Sequence, residues 1–394
     1  MAERRGKPIL WWAVAQGVSL LGTWVHAVAS AWFILGRSGS GTALGLAFAL
    51  QFLPLLVLGP FGGAVVDRFS RRKSLLVSQV AFACLSLTLG ILAATSALEL
   101  WTVFVTLPLM GLLDVVDLPA RDAFAGELVA DEHLVKVTAV GPVLADAARA
   151  LGPLAGGLLM TSFGPGWCFI GNAFSYLPLI VFLVLVRPVN QTGRRAAATD
   201  VRTATGLIAG DRTLLVPLIM VFLFGGFAYK FMVTLPVLAA ESFGGGPLTL
   251  SAFLGALAIG SAAAGPLVAR SVEPTQEVMA RFALAAGCGL MLVVLSRSLV
   301  TASAALTVTG AACTAFLAVG NATLQRATPA AVRGRILAFW SIGLLGTAPL
   351  TAPVLGWAGE HLGPRWPLGI GGVAVLAAGT VGLCIRAQRK VSTS

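Results

Sequence analysis

Charged side chains are what this sequence has least of. Asp, Glu, Lys and Arg make up 11% of its 394 residues, against roughly 25% in an ordinary soluble domain. A water-soluble fold cannot cover its surface with so few, so a soluble enzyme is excluded. The five cysteines, Cys84, Cys168, Cys288, Cys313 and Cys384, lie in apolar stretches without a CxxC pair. Neither a disulfide framework nor a zinc site is indicated, and free buried thiols are the simpler reading. There is no GxxxxGK[ST] phosphate loop, which argues against an ATP site on this chain. No constellation for nucleophilic catalysis or nucleic-acid recognition occurs either.

What the chain has in abundance is long apolar runs. Hydrophobic residues make up 57% of it and the mean hydropathy is +0.90. A spanning helix needs about 20 apolar residues. Runs of that length fall at 9–34, 42–66, 74–96, 99–119, 139–162, 167–187, 213–240, 248–269, 278–296, 298–320, 336–358 and 366–386. Twelve spans leave only short connections, so no separate globular head fits. The net charge of +11 follows the membrane rather than a nucleic-acid surface. With the N-terminus in the cytoplasm, 22 of the 27 Lys and Arg fall on the cytoplasmic side; Arg37, Arg297 and Arg365 lie outside, and Arg149 and Lys230 lie within spans. That asymmetry supports an even number of spans with both termini cytoplasmic. The run after Arg4, Arg5 and Lys7 is too long for a signal-peptide core and reads as a retained first helix.

A polar linker, 188–212, with Gln191-Thr192-Gly193-Arg194-Arg195, divides the chain near its midpoint. The expected units are an N-terminal six-helix bundle, 1–187, and a C-terminal one, 213–394. The halves echo each other. Gly164-Pro165-Gly166-Trp167 joins spans 5 and 6, and Gly363-Pro364-Arg365-Trp366 joins spans 11 and 12, an offset of 199 against a half-length of 197. A duplicated six-helix unit is the plan of many secondary carriers.

Between spans 2 and 3 stands Gly62-Gly63-Ala64-Val65-Val66-Asp67-Arg68-Phe69-Ser70-Arg71-Arg72-Lys73. Its glycines permit close helix approach, Asp67 suits a helix N-terminus, and Arg68, Arg71 and Arg72 hold the loop at the cytoplasmic face. It resembles the cytoplasmic loop signature of the major facilitator superfamily. In span 5, Gly152-Pro153-Leu154-Ala155-Gly156-Gly157 is similar to the superfamily's antiporter signature. Pro119-Ala120-Arg121, Asn172-Ala173-Phe174-Ser175-Tyr176, Gln325-Arg326-Ala327-Thr328-Pro329 and Arg333-Gly334-Arg335 are similar to the subgroup of enterobactin exporters and macrolide efflux pumps. The resemblance implies an all-α, twelve-helix facilitator that exports drug-like molecules or siderophores against proton entry by alternating access.

An ionisable group at membrane depth costs at least about 2.5 to 3.5 kcal/mol on insertion scales, so each needs a reason. The spans hold His26, Asp114, Asp117, Asp146, Arg149 and Lys230. Asp114 and Asp117 share one helix face near the cytoplasmic end of span 4, and Asp146 and Arg149 share a face of span 5. A proton-coupled exporter requires a carboxylate that takes a proton when desolvated and releases it when hydrated or paired with a cation. Asp114 or Asp117 is the candidate, with Arg149 as switching partner. The same residues also fit a static network in which Arg149 neutralises Asp146 while Asp117 reaches water or Arg121. His26 and Lys230, at matching depth in spans 1 and 7, suit an acidic or phenolic substrate if they face a cavity; packing and snorkelling are the alternatives. Gln16, Gln51 and Asn172 are further candidates for substrate or interhelical hydrogen bonds.

The resulting expectation is a secondary carrier and not an enzyme, with a small-molecule substrate and protons as partners. It needs no cofactor or metal, works as a monomer in the lipid bilayer, and has no nucleic-acid partner. The abundance of Ala, Gly and Arg over Lys points to a GC-rich bacterium and its inner membrane. Two other readings stand beside it: a non-transporting sensor on a carrier fold, and a prenyl-transferase-like enzyme suggested by Asp114-Val115-Val116-Asp117. The second lacks the paired acidic cluster that would hold a metal diphosphate.

Overall fold

The computed structural model describes residues 2–68, 70–127, 134–186, 206–208, 210–329 and 332–392. Among them there is no β-strand. The first five apolar runs form α1 (Ala2–Ser38), α2 (Gly41–Arg68), α3 (Arg71–Ala94), α4 (Leu100–Glu127) and α5 (Leu134–Phe163). The sixth is divided into α6 (Pro165–Ser175) and α7 (Leu177–Leu185), and the seventh into α8 (Arg212–Leu223) and α9 (Phe231–Val237), each followed by a π-helical turn, Phe224–Ala228 and Leu238–Ser242. Then come α10 (Pro247–Ser271), α11 (Gln276–Leu295) and α12 (Leu299–Ala327). The eleventh run consists of α13 (Arg333–Ser341), a π turn at Ile342–Gly346 and α14 (Ala348–His361), and the chain continues as α15 (Trp366–Ser392). Eleven of these stretches are long and apolar enough to cross a bilayer; α5 occupies the remaining run.

The interruptions have local causes. Pro178 in the first turn of α7 has no N–H for the preceding turn, and the helix turns at Tyr176. In the seventh run, Gly225 and Gly226 carry no side chain to stiffen the turn, the Tyr229 N–H reaches back to Phe224 O, and the chain breaks at Tyr229 and Lys230 before α9 begins. The sequence alone reads this run as one unbroken helix. The π turn lets Gly225 sit against the Gly343 carbonyl and Leu344, where any Cβ would overlap backbone.

The chain forms two compact units. One contains Met1–Gly39, Leu50–Arg195 and Gly246–Ser251; the other contains Ser40–Ala49, Ala196–Gly245 and Ala252–Ser394. The expected linker, 188–212, lies mostly outside the described residues. In the first unit α1 packs along α5 and α6, and α3 against α4 and α6. Gly152 and Gly156 of α5 receive Trp24, Val25 and Val28 of α1, and Gly111 of α4 lies on the Gln51 carbonyl of α2. Trp12, Leu75, Phe124, Leu179, Phe182 and Leu183 close one end of the unit. In the second unit α11 packs along α12 and α15, and α15 also lies against the π turn at Phe224–Ala228.

The Gly-Pro turns repeat in geometry as well as in sequence. Gly164 and Gly363 both have positive φ, 83° and 120°, a region that favours glycine, and a proline follows each at the approach to a helix. Large apolar side chains such as Leu295 and Val300 are exposed along the helices, as expected where the solvent is lipid.

The α2–α4 crossing generates a direct test. A Gly111→Leu side chain meets the backbone of Gln51, which has no freedom to rotate away, so the helices must separate at a cost of about 1–3 kcal/mol or more. The expected result is a lower thermal unfolding midpoint in detergent than for wild type; an unchanged midpoint contradicts the close approach.

Candidate functional site

Helix α4 carries Asp114, Asp117 and Arg121 at i, i+3 and i+7, hence on one face. Asp117 is buried, at 2% exposure, and both its oxygens are occupied. Oδ1 accepts from Ser78 Oγ at 2.6 Å and Gln79 Nε2 at 2.7 Å, adjacent residues of α3. Oδ2 accepts the Nε and Nη2 donors of Arg121 at 2.9 and 2.7 Å. Ser19 of α1 extends the cage, donating to Gln79 Oε1 at 3.5 Å. Charge-assisted bonds of this number hold a carboxylate in place. Asp114, one turn away and half-buried, makes no hydrogen bond or ion pair among the described residues, and it lies within electrostatic reach of Asp117 and Arg121.

The cation that meets Asp117 is therefore Arg121, the partner that the static alternative allowed, and not Arg149. The Arg149 guanidinium stands over the Trp24 ring, 5.9 Å from its centroid, in the geometry of a cation–π contact. The side chain of Asp146 lies outside the described residues. Sequence reasoning missed Ser78 and Gln79, although a polar Ser-Gln pair inside an apolar span is itself a signal.

Deeper in the same unit is a neutral polar cluster. His26 Nδ1 lies 3.4 Å from Ser86 Oγ, Asn172 Nδ2 donates to Ser86 Oγ at 2.9 Å, and to the Tyr176 hydroxyl at 3.3 Å. The His26 ring meets Phe169 edge-on at 4.9 Å. His26, Asn172 and Gln16 are all buried. His26 Nε2 and Gln16 Oε1 have no hydrogen-bond partner. The structure thus buries all three inside the unit, with His26 and Asn172 in contact with Ser86 and Tyr176. Gln51 is half-buried, and its carbonyl forms the seat for Gly111.

In the second unit Lys230 is buried at 2% exposure, at the break between the π turn Phe224–Ala228 and α9. Its Nζ donates to Leu344 O at 3.3 Å and Thr347 Oγ1 at 3.5 Å, both long bonds. No carboxylate faces it among the described residues. Thr234, one turn along α9, has a buried hydroxyl without a partner. The π turn of the eleventh run, which supplies the Leu344 carbonyl, was not legible from hydropathy.

Parts of the loop and α5 motifs have described contacts. Arg72 caps the end of α7, its Nε donating to Leu183 O and its Nη2 to Val184 O at 2.7 Å, the favourable position for a cation at a helix C-terminus. Arg71 begins α3. Gly62 and Gly63 lie in α2, and the side chains of Asp67 and Arg68 are outside the described residues. Gly157 lies against Ser251 and the Pro247 carbonyl of α10, and Ser251 Oγ donates to Pro153 O at 2.7 Å.

Residues 7–393 match the family model described as transmembrane secretion effector. The chain belongs to this family of the major facilitator superfamily. Its curated relatives include an MFS-type transporter, YfiS, of Bacillus subtilis (27% identical over 46% of this chain and 42% of that one). They also include macrolide efflux protein A of Streptococcus pyogenes (30%, over 38% and 36%) and the staphyloferrin A transporter of Staphylococcus aureus (21%, over 40% of each). Each alignment spans about two-fifths of the relative. Among solved structures, a D-xylose–proton symporter superimposes with a TM-score of 0.75 at 14% identity, covering 95% of this chain and 96% of that one. A POT family transporter in complex with 5-aminolevulinic acid gives 0.76 at 11%, over 97% and 96%. These two likenesses show the shared fold. The family and its members are multi-pass membrane transporters of small molecules rather than enzymes, so the Asp114–Asp117 spacing does not mark a prenyl-transferase site; Asp117 is engaged with Arg121 instead.

Removing Asp117 leaves Arg121 buried without its counter-ion, a loss of about 3–5 kcal/mol. Asp117→Asn is expected to reduce the folded, monodisperse fraction on size-exclusion chromatography, and Asp117→Asn/Arg121→Gln to recover part of it. Asp114→Asn is expected to elute as wild type. Equal behaviour of Asp117→Asn and wild type contradicts the cage.

Proposed function

We propose that this protein is a proton-coupled exporter of small organic molecules of the drug or siderophore type, in the inner membrane of a bacterium. In this reading it has twelve spans, both termini in the cytoplasm, works as a monomer, and moves its substrate by alternating access. The observation that carries proton coupling is the contrast on α4. Asp117 is saturated by four donor contacts and stays fixed, while Asp114 lacks a donor among the described residues. A desolvated carboxylate without donors is neutralised by a proton, and rehydration releases it. The proposal therefore assigns the transported proton to Asp114 and gives Asp117 and Arg121 a structural role. Relatives named for macrolide efflux, multidrug resistance and staphyloferrin A transport support the direction and the substrate class.

Lys230 supplies the second element. A buried ammonium held only by a carbonyl and a hydroxyl at 3.3 and 3.5 Å gains more from an anionic partner than from either. In this reading it receives an acidic or phenolic group of the substrate, and His26 remains a packing residue.

Inverted membrane vesicles energised with a proton gradient test both assignments. Asp114→Asn is expected to abolish gradient-driven uptake of a fluorescent drug by ten-fold or more, on the order of one to two kcal/mol of lost coupling, while keeping wild-type expression and elution. Unchanged uptake rejects the proton assignment. Lys230→Ala is expected to lose transport of anionic substrates and keep cationic ones; equal transport of both rejects the substrate contact.

A further inference from the structure

Between the end of α11 and the first turns of α15 lies a lateral groove of about 590 Å³, within the range of built ligand sites. It is lined by Met291 and Val294 of α11, Gly369, Ile370, Val373 and Ala374 of α15, and Phe227 of the π turn. Arg365 and Trp366, at the start of α15, also line it. Every lining side chain but Arg365 and the Trp366 indole is apolar. The surrounding surface is the kind that faces acyl chains: Leu292, Leu295, Trp366 and Val373 are all exposed.

Arg365 is held in place and still has donors to spare. Its Nη1 donates to Val294 O at 2.6 Å, and the guanidinium lies over the Phe243 ring at 5.9 Å. Its remaining N–H groups have no partner among the described residues, and no acidic side chain lines the groove. The internal repeat shows that the groove is particular to the second unit. The counterpart of Arg365 is Gly166, packed on Ala93 and Ala94, and the counterpart of Gly369 is Ile170, whose side chain fills the space over Gly90. A Cβ on Gly369 meets nothing within 4 Å. The first unit closes at this position with an isoleucine; the second leaves it open and adds a cation.

We propose that this groove binds an anionic phospholipid, with one acyl chain lying against Gly369 and Ile370 and the headgroup phosphate on Arg365. The occupant follows from charge and shape. The apolar trough matches a hydrocarbon chain, and the forked guanidinium matches a phosphate at the trough's end. The lining residue Phe227 lies three residues before Lys230, so an occupied groove braces the seventh run where it breaks.

Native mass spectrometry of the purified full-length protein provides the test, with phosphatidylglycerol and phosphatidylcholine of identical chains as competing probes and inorganic phosphate as a separate arm. Wild type is expected to retain phosphatidylglycerol about fivefold over phosphatidylcholine, the size expected for one basic side chain against an anionic headgroup. Arg365→Gln is expected to equalise the two lipids, and Arg365→Lys to restore part of the preference. Gly369→Ile, which installs the first unit's residue in open space, is expected to lower retention of both lipids several-fold with an unchanged unfolding midpoint. Equal retention of the two lipids by wild type overturns the proposal, as does full retention by Gly369→Ile. Phosphate displacing the lipid from Arg365 with no effect of Gly369→Ile marks an ion site without a lipid and also overturns it.

Discussion

The bilayer gives a charge no water to retreat to, and the interior of this protein is organised by how each ionisable group is neutralised. Asp117 is neutralised by donors: two from adjacent residues of α3 and two from Arg121 on its own helix. That solution demands that α3 and α4 lie close and in register, because a carboxylate accepts strong bonds only over a narrow range of distance. Once made, the cage fixes the helices as firmly as any apolar contact. Asp114 lies one turn away on the same face and receives no such donors among the described residues. Two carboxylates three residues apart in one helix thus have different environments, and divergent environments are what separate a structural acid from a working one.

The second unit neutralises its charge through the backbone. In a regular α-helix each carbonyl is already bonded within the helix and offers a buried lysine only its second lone pair. The π turn at Ile342–Gly346 alters that bonding and brings the Leu344 carbonyl to Lys230. The partner turn at Phe224–Ala228 ends in the break that places Lys230 there. Gly225 lets the first of these segments sit directly on the Gly343 carbonyl and Leu344 of the second, and Gly343 makes room for Val221 and Phe222 of α8. Irregular backbone at membrane depth is tolerated only where protein or a water-filled cavity surrounds it, and such turns are frequent at functional sites.

Much of this was readable from the chain. Apolar run length located the helices, and the Gly-Pro turns at 164 and 363, alike in sequence, also share a positive-φ glycine. The α4 acids were singled out because a charge in a span is rare. The partner of Asp117 was legible only as one of two alternatives, because a 3.6-residue period fixes which residues share a helix face but not which neighbouring helix faces them. Ser78 and Gln79 were overlooked for the same reason: their value depends on lying across from Asp117. The break at Lys230 was hidden because hydropathy sums over a window and is blind to a change from i−4 to i−5 hydrogen bonding. His26 and Asn172 have the composition of cavity residues, yet they pack against Ser86, Tyr176 and Phe169, since small polar groups are also the means by which membrane helices adhere.

The duplicated turns show how a repeat can keep its frame and change its chemistry. A left-handed glycine followed by proline determines where the next helix starts, and that requirement acts on the backbone alone. The residue after the proline is released from it. In the first unit this residue is Gly166, and its lack of a side chain allows α6 to settle on the end of α3 at Ala93 and Ala94. In the second it is Arg365, whose long side chain crosses to Val294 O of α11 and lines a trough with Gly369 and Ile370. One turn later the exchange runs the other way, isoleucine in the first unit and glycine in the second. Filling at one position and opening at the other have moved together by one helical turn, so the apolar volume absent at Gly369 lies directly below the charge gained at Arg365. A packing defect alone would not carry a cation at its rim, because a guanidinium beside an empty hydrocarbon slot gains nothing from the slot; the two substitutions acquire a common purpose when an amphipathic molecule spans both.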